Sequence, residues 1–104
     1  MDAPDIKTPT VAFLDGDEMH DIYPRTFEIP SARRKAAIRP GDSVKVCAAG
    51  ERFWLLVTST AYCEIVGTVD NDLVRTEEHG LAYGDLVRVE PRHVIALECR
   101  GGVA

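Results

Sequence analysis

Gly41-Asp42-Ser43-Val44-Lys45-Val46 and, farther along, Gly84-Asp85-Leu86-Val87-Arg88-Val89 frame the stretch that decides the fold. Each is a Gly-Asp pair followed by strict alternation. Val44 and Val46 point one way and Ser43 and Lys45 the other, the period-two pattern of a strand with one buried face. Glycine supplies unusual backbone angles and aspartate holds the turn before the strand, so the echo marks one local device used twice. Between the two lie Glu51-Arg52-Phe53-Trp54, Gly67-Thr68-Val69-Asp70-Asn71-Asp72 and Glu78-His79-Gly80. Short apolar runs at regular spacing, broken by Gly, Asp and Asn, predict a small, mainly β domain with a strongly curved antiparallel sheet.

Working outward, residues 43–48 form the first strand of this block, and Ala49-Gly50-Glu51 turns the chain into a second over 52–59. Phe53, Leu55 and Val57 share one face of it; Arg52, Trp54, Leu56 and Thr58 share the other. Apolar groups on both faces imply that one is core and the other partly covered. A third strand spans 64–69. Asp70-Asn71-Asp72 is a tight turn, because Asn and Asp tolerate left-handed backbone. It leads to a fourth strand over 73–76, paired with the third. Residues 77–84 form a loop, 86–90 a fifth strand with Val87 and Val89 inward, and 94–97 a last strand or a single 3₁₀ turn. Five or six short strands predict an SH3-like or OB-like barrel. Upstream, Ser31 is a good N-cap for a helix near 31–38 rich in Ala, Arg and Lys, which Pro40 closes. Residues 10–14 are expected as a short strand or one turn of helix. The organisation expected is an acidic N-terminal arm over 1–22 with a loosely held start, the barrel domain over 23–97, and a frayed tail over 98–104.

At 104 residues the chain is of single-domain size, and its apolar fraction of 45% is ordinary for a globular protein. A net charge of −5 disfavours non-specific binding to nucleic-acid backbone. No apolar run is long enough to span a membrane, and the acidic start lacks the basic and apolar parts of a secretion signal, so a cytoplasmic location is expected. Cys47, Cys63 and Cys99 contain no Cys-x-x-Cys pair and are expected as free thiols, Cys47 and Cys63 within strands. Asp15-Gly16-Asp17 is expected as a turn; it opens like a calcium loop, but the glycine stands at the second position and Thr26 where a bidentate Glu is needed. No cofactor or metal is expected.

One further resemblance rests on a series of residues. Gly41-Asp42-x-Val44-Lys45, Glu51-Arg52-Phe53-Trp54-x-x-Val57-Thr58, Gly67-x-Val69-Asp70-Asn71-Asp72-Leu73, His79-Gly80-Leu81-x-x-Gly84-Asp85 and Arg92-His93-Val94-Ile95 together resemble the bacterial family catalogued as domain of unknown function 2314. The resemblance covers about residues 24–97 and implies a compact β-rich domain; it implies no activity and no catalytic residue.

No motif in the chain specifies a reaction. Arg52 and Trp54, with Tyr62 and Tyr83 as further aromatics, form the best site candidate, because Trp beside Arg is the pair most used to anchor partners. The plainer role for Trp54 is to cover the second face of the sheet. The leading expectation is a non-enzymatic binding or regulatory module that presents Arg52, Trp54 and the loop carrying His79 and Tyr83, together with His93, to a protein or peptide. An alternative is a small metal-dependent or acid–base enzyme, which needs His79 and His93 to converge with Asp72 or Asp85. Another is nucleic-acid binding through Arg33-Arg34-Lys35. No membrane partner is expected, and the chain is expected as a monomer or an edge-strand homodimer.

Overall fold

Ala48 and Glu51 face each other across a hairpin whose two connecting residues, Ala49 (φ 50°) and Gly50 (φ 78°), both have positive φ. That is the backbone a two-residue type I′ turn requires, and its twist matches the twist of the strands it joins. In the computed structural model, which describes residues 5–61 and 63–99, this hairpin joins β2 (Ser43–Ala48) to β3 (Glu51–Ala61). Around it run β1 (Ile6–Lys7), α1 (Gly16–Ile22), α2 (Ala32–Ala36), β4 (Glu64–Val69), α3 (Thr76–His79), β5 (Leu86–Val89), a 3₁₀ turn (Pro91–His93) and β6 (Ala96–Glu98).

The strands make one six-stranded sheet in the order β1-β5-β4-β3-β2-β6. All pairs are antiparallel except β1 with β5, so the sheet is mixed. The domain is mainly β, as expected, but the sheet is not closed. Its end strands, two and three residues long, do not pair with each other. Closing a barrel requires every strand to have two partners.

The expected alternation holds on β3 and β5; on β2 Val44 and Val46 face the core as expected, but Ser43 and Cys47 on the other face are buried too. Val44, Val46, Phe53, Leu55, Val57, Val69, Val87 and Val89 are all at most 2% exposed and form one face. Ile38, Leu81 and Val94 cover it, with Phe13, Leu73 and Leu97 at its margin. The register puts Val57 opposite Gly67 and then Ser59 opposite Val66, which leaves Thr58 as a bulge. The bulge changes the phase, so Thr60 rather than Ser59 shares a face with Ile65. Gly67 is required beside it: a Cβ there would stand 2.7 Å from the Leu56 carbonyl oxygen.

The Gly-Asp device is built twice. Gly41 (φ 97°) and Gly84 (φ 85°) both adopt conformations that side chains resist. Gly41 N–H donates to the Val57 carbonyl and Val57 N–H to the Asp42 carbonyl; Gly84 and Asp85 make the same exchange with Val69, all at 2.9 Å. The Asp42 carboxylate accepts from Arg39 N–H at 3.2 Å and the Asp85 carboxylate from Ala82 N–H at 2.9 Å.

Three other expectations change. The strand over 73–76 is not formed. Instead of a hairpin, residues 70–85 make an excursion before β5 pairs with β4, and α3 lies within it. Two side chains hold the excursion to β3: Asn71 Oδ1 accepts from Trp54 N–H (2.6 Å), and the Glu51 carboxylate accepts from Val74 and Arg75 N–H (both 2.9 Å). Residues 10–14 form neither a strand nor a helical turn: Phe13 makes an isolated bridge to Ala48, and Thr10 donates to the His79 and Glu78 carbonyls. Asp15 opens a helix rather than a turn, its carboxylate accepting from Glu18 N–H at 3.0 Å. The helix expected near 31–38 is present as α2, capped by Ser31, whose Oγ accepts from Arg34 N–H. None of the helices among the described residues is long and apolar enough to cross a membrane.

Candidate functional site

The face of β3 opposite the core carries Arg52, Trp54 and Leu56 at alternate positions. Trp54 is half-buried, and its register partner Lys45 on β2 sets its ammonium 5.2 Å from the indole centroid. That is a cation–π contact, which holds the ring against its cross-strand neighbour. Arg52 is exposed, with its guanidinium 5.8 Å from the Phe27 ring. Leu56 and Ile6 are each 36% exposed, and the register carries the row from Leu56 through Thr68 and Leu86 to Ile6. Trp54 is thus neither core nor fully exposed: it lies at the centre of a partly open sheet face.

The other expected site residues are not gathered there. His79 is completely buried, 5.9 Å from the ring of the core residue Phe53. Its Nδ1 accepts from Leu81 N–H (3.0 Å), which leaves the ring proton on Nε2 to be donated to Glu51 Oε1 (2.9 Å). A histidine so enclosed holds the 70–85 excursion in place and offers nothing to a partner. Burial pushes the Glu51 carboxyl up, but the Val74 N–H, the His79 ring and the Arg75 N–H outweigh it and hold it below the ordinary glutamate range. Tyr83 is exposed in the turn before β5. Tyr62 lies outside the described residues. His93 caps the 3₁₀ turn, its Nδ1 accepting from Glu90 N–H (3.0 Å), with its ring 5.5 Å from Phe13. Burial, then the neighbouring Arg92 charge, lower its affinity for a proton.

His79 and His93 therefore sit in separate networks rather than one pocket. Among the described residues, no three His, Cys, Asp or Glu side chains gather as a metal-holding group. Arg33-Arg34-Lys35 is not a uniform basic surface either. Lys35 turns inward to 7% side-chain exposure and pairs with Asp17 at 2.6 Å, while Arg34 reaches the Leu97 carbonyl. Of the cysteines, all free, Cys47 is buried in β2 as expected; Cys63 stands exposed in the turn between β3 and β4, not in a strand.

A cleft that sequence reasoning missed lies between the two N-terminal helices and the end of the β3–β4 hairpin. It has a volume of about 630 Å³, within the size range of small-molecule sites. Ile29, Ala32, Ala36, Ile38 and Ile65 supply apolar wall. Lys35, Asp17 and His20 supply polar groups, with His20 Nδ1 2.7 Å from the Phe27 carbonyl oxygen. A smaller cavity of about 500 Å³ shares Ala61, Cys63 and Glu64 with it and reaches His93. One signal was present in the sequence. Ala32, Lys35 and Ala36 recur at helical spacing and so share one helix face, the face that lines the cleft.

No family model, curated protein or solved structure matches the chain.

Proposed function

We propose that the protein is a non-enzymatic binding module that recognises a protein or peptide segment through the sheet face of Arg52, Trp54 and Leu56. The observation that carries this reading is the position of Trp54, half-buried on the non-core side of β3 beneath the Lys45 ammonium. An indole already held by a neighbouring side chain offers a large contact area at little cost in conformational freedom. Leu56 extends the apolar strip, and Arg52 and Lys45 border it with positive charge. A segment with apolar side chains and an acidic neighbour fits such a surface. The reading keeps the kinship with small SH3-like or OB-like modules, which bind ligands on short curved sheets, and the resemblance to domain of unknown function 2314 over residues 24–97 belongs to it.

Selection of peptides from a displayed library on the purified protein tests the reading. Selected peptides are expected to shift backbone amide signals of β2 and β3 and to lose about tenfold or more in affinity for Trp54→Ala, as an aromatic anchor does on truncation. Trp54 is not part of the core face, so the variant keeps its fold, checked by thermal melting. Peptides that bind Trp54→Ala and Arg52→Ala as well as the parent overturn it.

A further inference from the structure

Lys35 presents an unusual combination. Its side chain is 7% exposed, yet the carboxylate that neutralises it, Asp17, is 54% exposed. A buried charge must be paired, and burying one without a partner is costly. An ammonium has three N–H donors. Asp17 Oδ1 takes one of them at 2.6 Å, and no other described side chain or carbonyl bonds to the Lys35 ammonium. Lys35 lines a cleft of about 630 Å³, and about half of the residues that wall it are Ile, Ala or Pro. The cation is fixed in the wall, while the anion is free to turn to water.

The geometry points to this cleft as a binding site for a small monocarboxylate with an apolar body, its carboxylate joining or displacing Asp17 on the Lys35 ammonium. A carboxylate supplies the acceptors that the buried ammonium lacks, in a charge-assisted hydrogen bond stronger than a neutral one. The apolar body fills the space walled by Ile29, Ile38 and Ile65. Glu64 on the same wall sets the charge limit, because a dianionic head such as a phosphate meets two carboxylates against one ammonium. The site is separate from the Trp54 face and stands or falls without it.

Decanoate and decanol, which share the chain and differ in the head, test the assignment by calorimetry and amide chemical shifts. Decanoate is expected to saturate one site with shifts at Lys35, Ile38 and Ile65, and to bind about tenfold or more tightly than decanol, the worth of one charge-assisted hydrogen bond. Lys35→Met is expected to reduce decanoate to the level of decanol. Ala36→Leu narrows the cleft and keeps the Lys35–Asp17 pair, so it guards against a folding defect in Lys35→Met; it is expected to weaken decanoate binding. Equal affinity for the two probes, shifts centred outside the cleft, or undiminished decanoate binding to Ala36→Leu overturns the assignment.

Discussion

Ala49 holds the one positive φ outside glycine among the described residues, 50°, at the first position of the β2–β3 turn. For an alanine this conformation brings the Cβ against the neighbouring carbonyl and costs about 1–2 kcal/mol. Asparagine tolerates it better, because its short amide bonds to the local backbone, and Asn-Gly is the preferred pair in this turn. Ala49→Asn is therefore expected to stabilise the protein by about 0.5–1 kcal/mol, read as a higher urea midpoint with an unchanged slope. A lower midpoint would show that the turn has other constraints. The same turn illustrates what was legible residue by residue. Ala49-Gly50 announced a change of direction, but its tightness depends on the register of Ala48 with Glu51, which neither residue encodes alone. Gly41-Asp42 and Gly84-Asp85 were fully legible, because glycine for the angle and aspartate for the turn are local needs. What each dipeptide docks on, Val57 or Val69, is a tertiary fact.

Among the elements, the strands with one buried face could be read from alternation alone, and the departures cluster where side chains replaced backbone pairing. Residues 73–76 have strand-like composition but do not pair with β4, because Glu51 and Asn71 hold the excursion to β3 instead. Asp15-x-x-Glu18 is a capping sequence ahead of a helix, and its signal was outweighed by the turn propensity of Asp-Gly-Asp. The cleft was not legible because it is made by α1, α2 and the hairpin end, three segments distant in sequence that meet only after folding. Glu51 carries the excursion in one carboxylate. Its removal strands two backbone N–H groups and leaves the Nε2–H of the fully buried His79 without an acceptor. An unsatisfied buried donor costs its full desolvation, so Glu51→Ala is expected to lose about 2–3 kcal/mol. Hydrogen exchange is expected to rise first at Val74, Arg75 and Gly80, ahead of the β2–β3 pairing. Uniform loss of protection across the sheet would mean that the excursion is not a separate unit.

Across the whole molecule, the shifted carboxyl and histidine titrations all act with the same sign. The Glu18 N–H, then the Arg92 guanidinium, hold Asp15 below the ordinary range; Arg92 does the same to Glu90. Glu51 is lowered because its donors outweigh the opposing effect of burial. A carboxyl with a depressed folded value contributes stability that is present above its unfolded value, near 4.5 for Glu, and lost as pH falls through the folded one. His93 is lowered by burial and by Arg92, so the unfolded chain takes up its proton first. Its contribution is complete above the unfolded value of 6.5 and is lost as pH falls from there toward the folded value. No raised histidine or carboxyl among the shifted groups opposes these effects. The unfolding free energy from urea titrations is therefore expected to be level from about pH 8 to 7, to decline gently below about 6.5, and to fall more steeply below about 4.5. The sequence pI of about 5.1 lies between the two limbs, so dilute protein keeps the transition reversible where net charge vanishes. His93→Gln retains an acceptor for the Glu90 N–H and does not titrate; it is expected to erase the first limb and keep the second. A first limb that survives in His93→Gln assigns the loss near neutral pH to another group and removes His93 from the account.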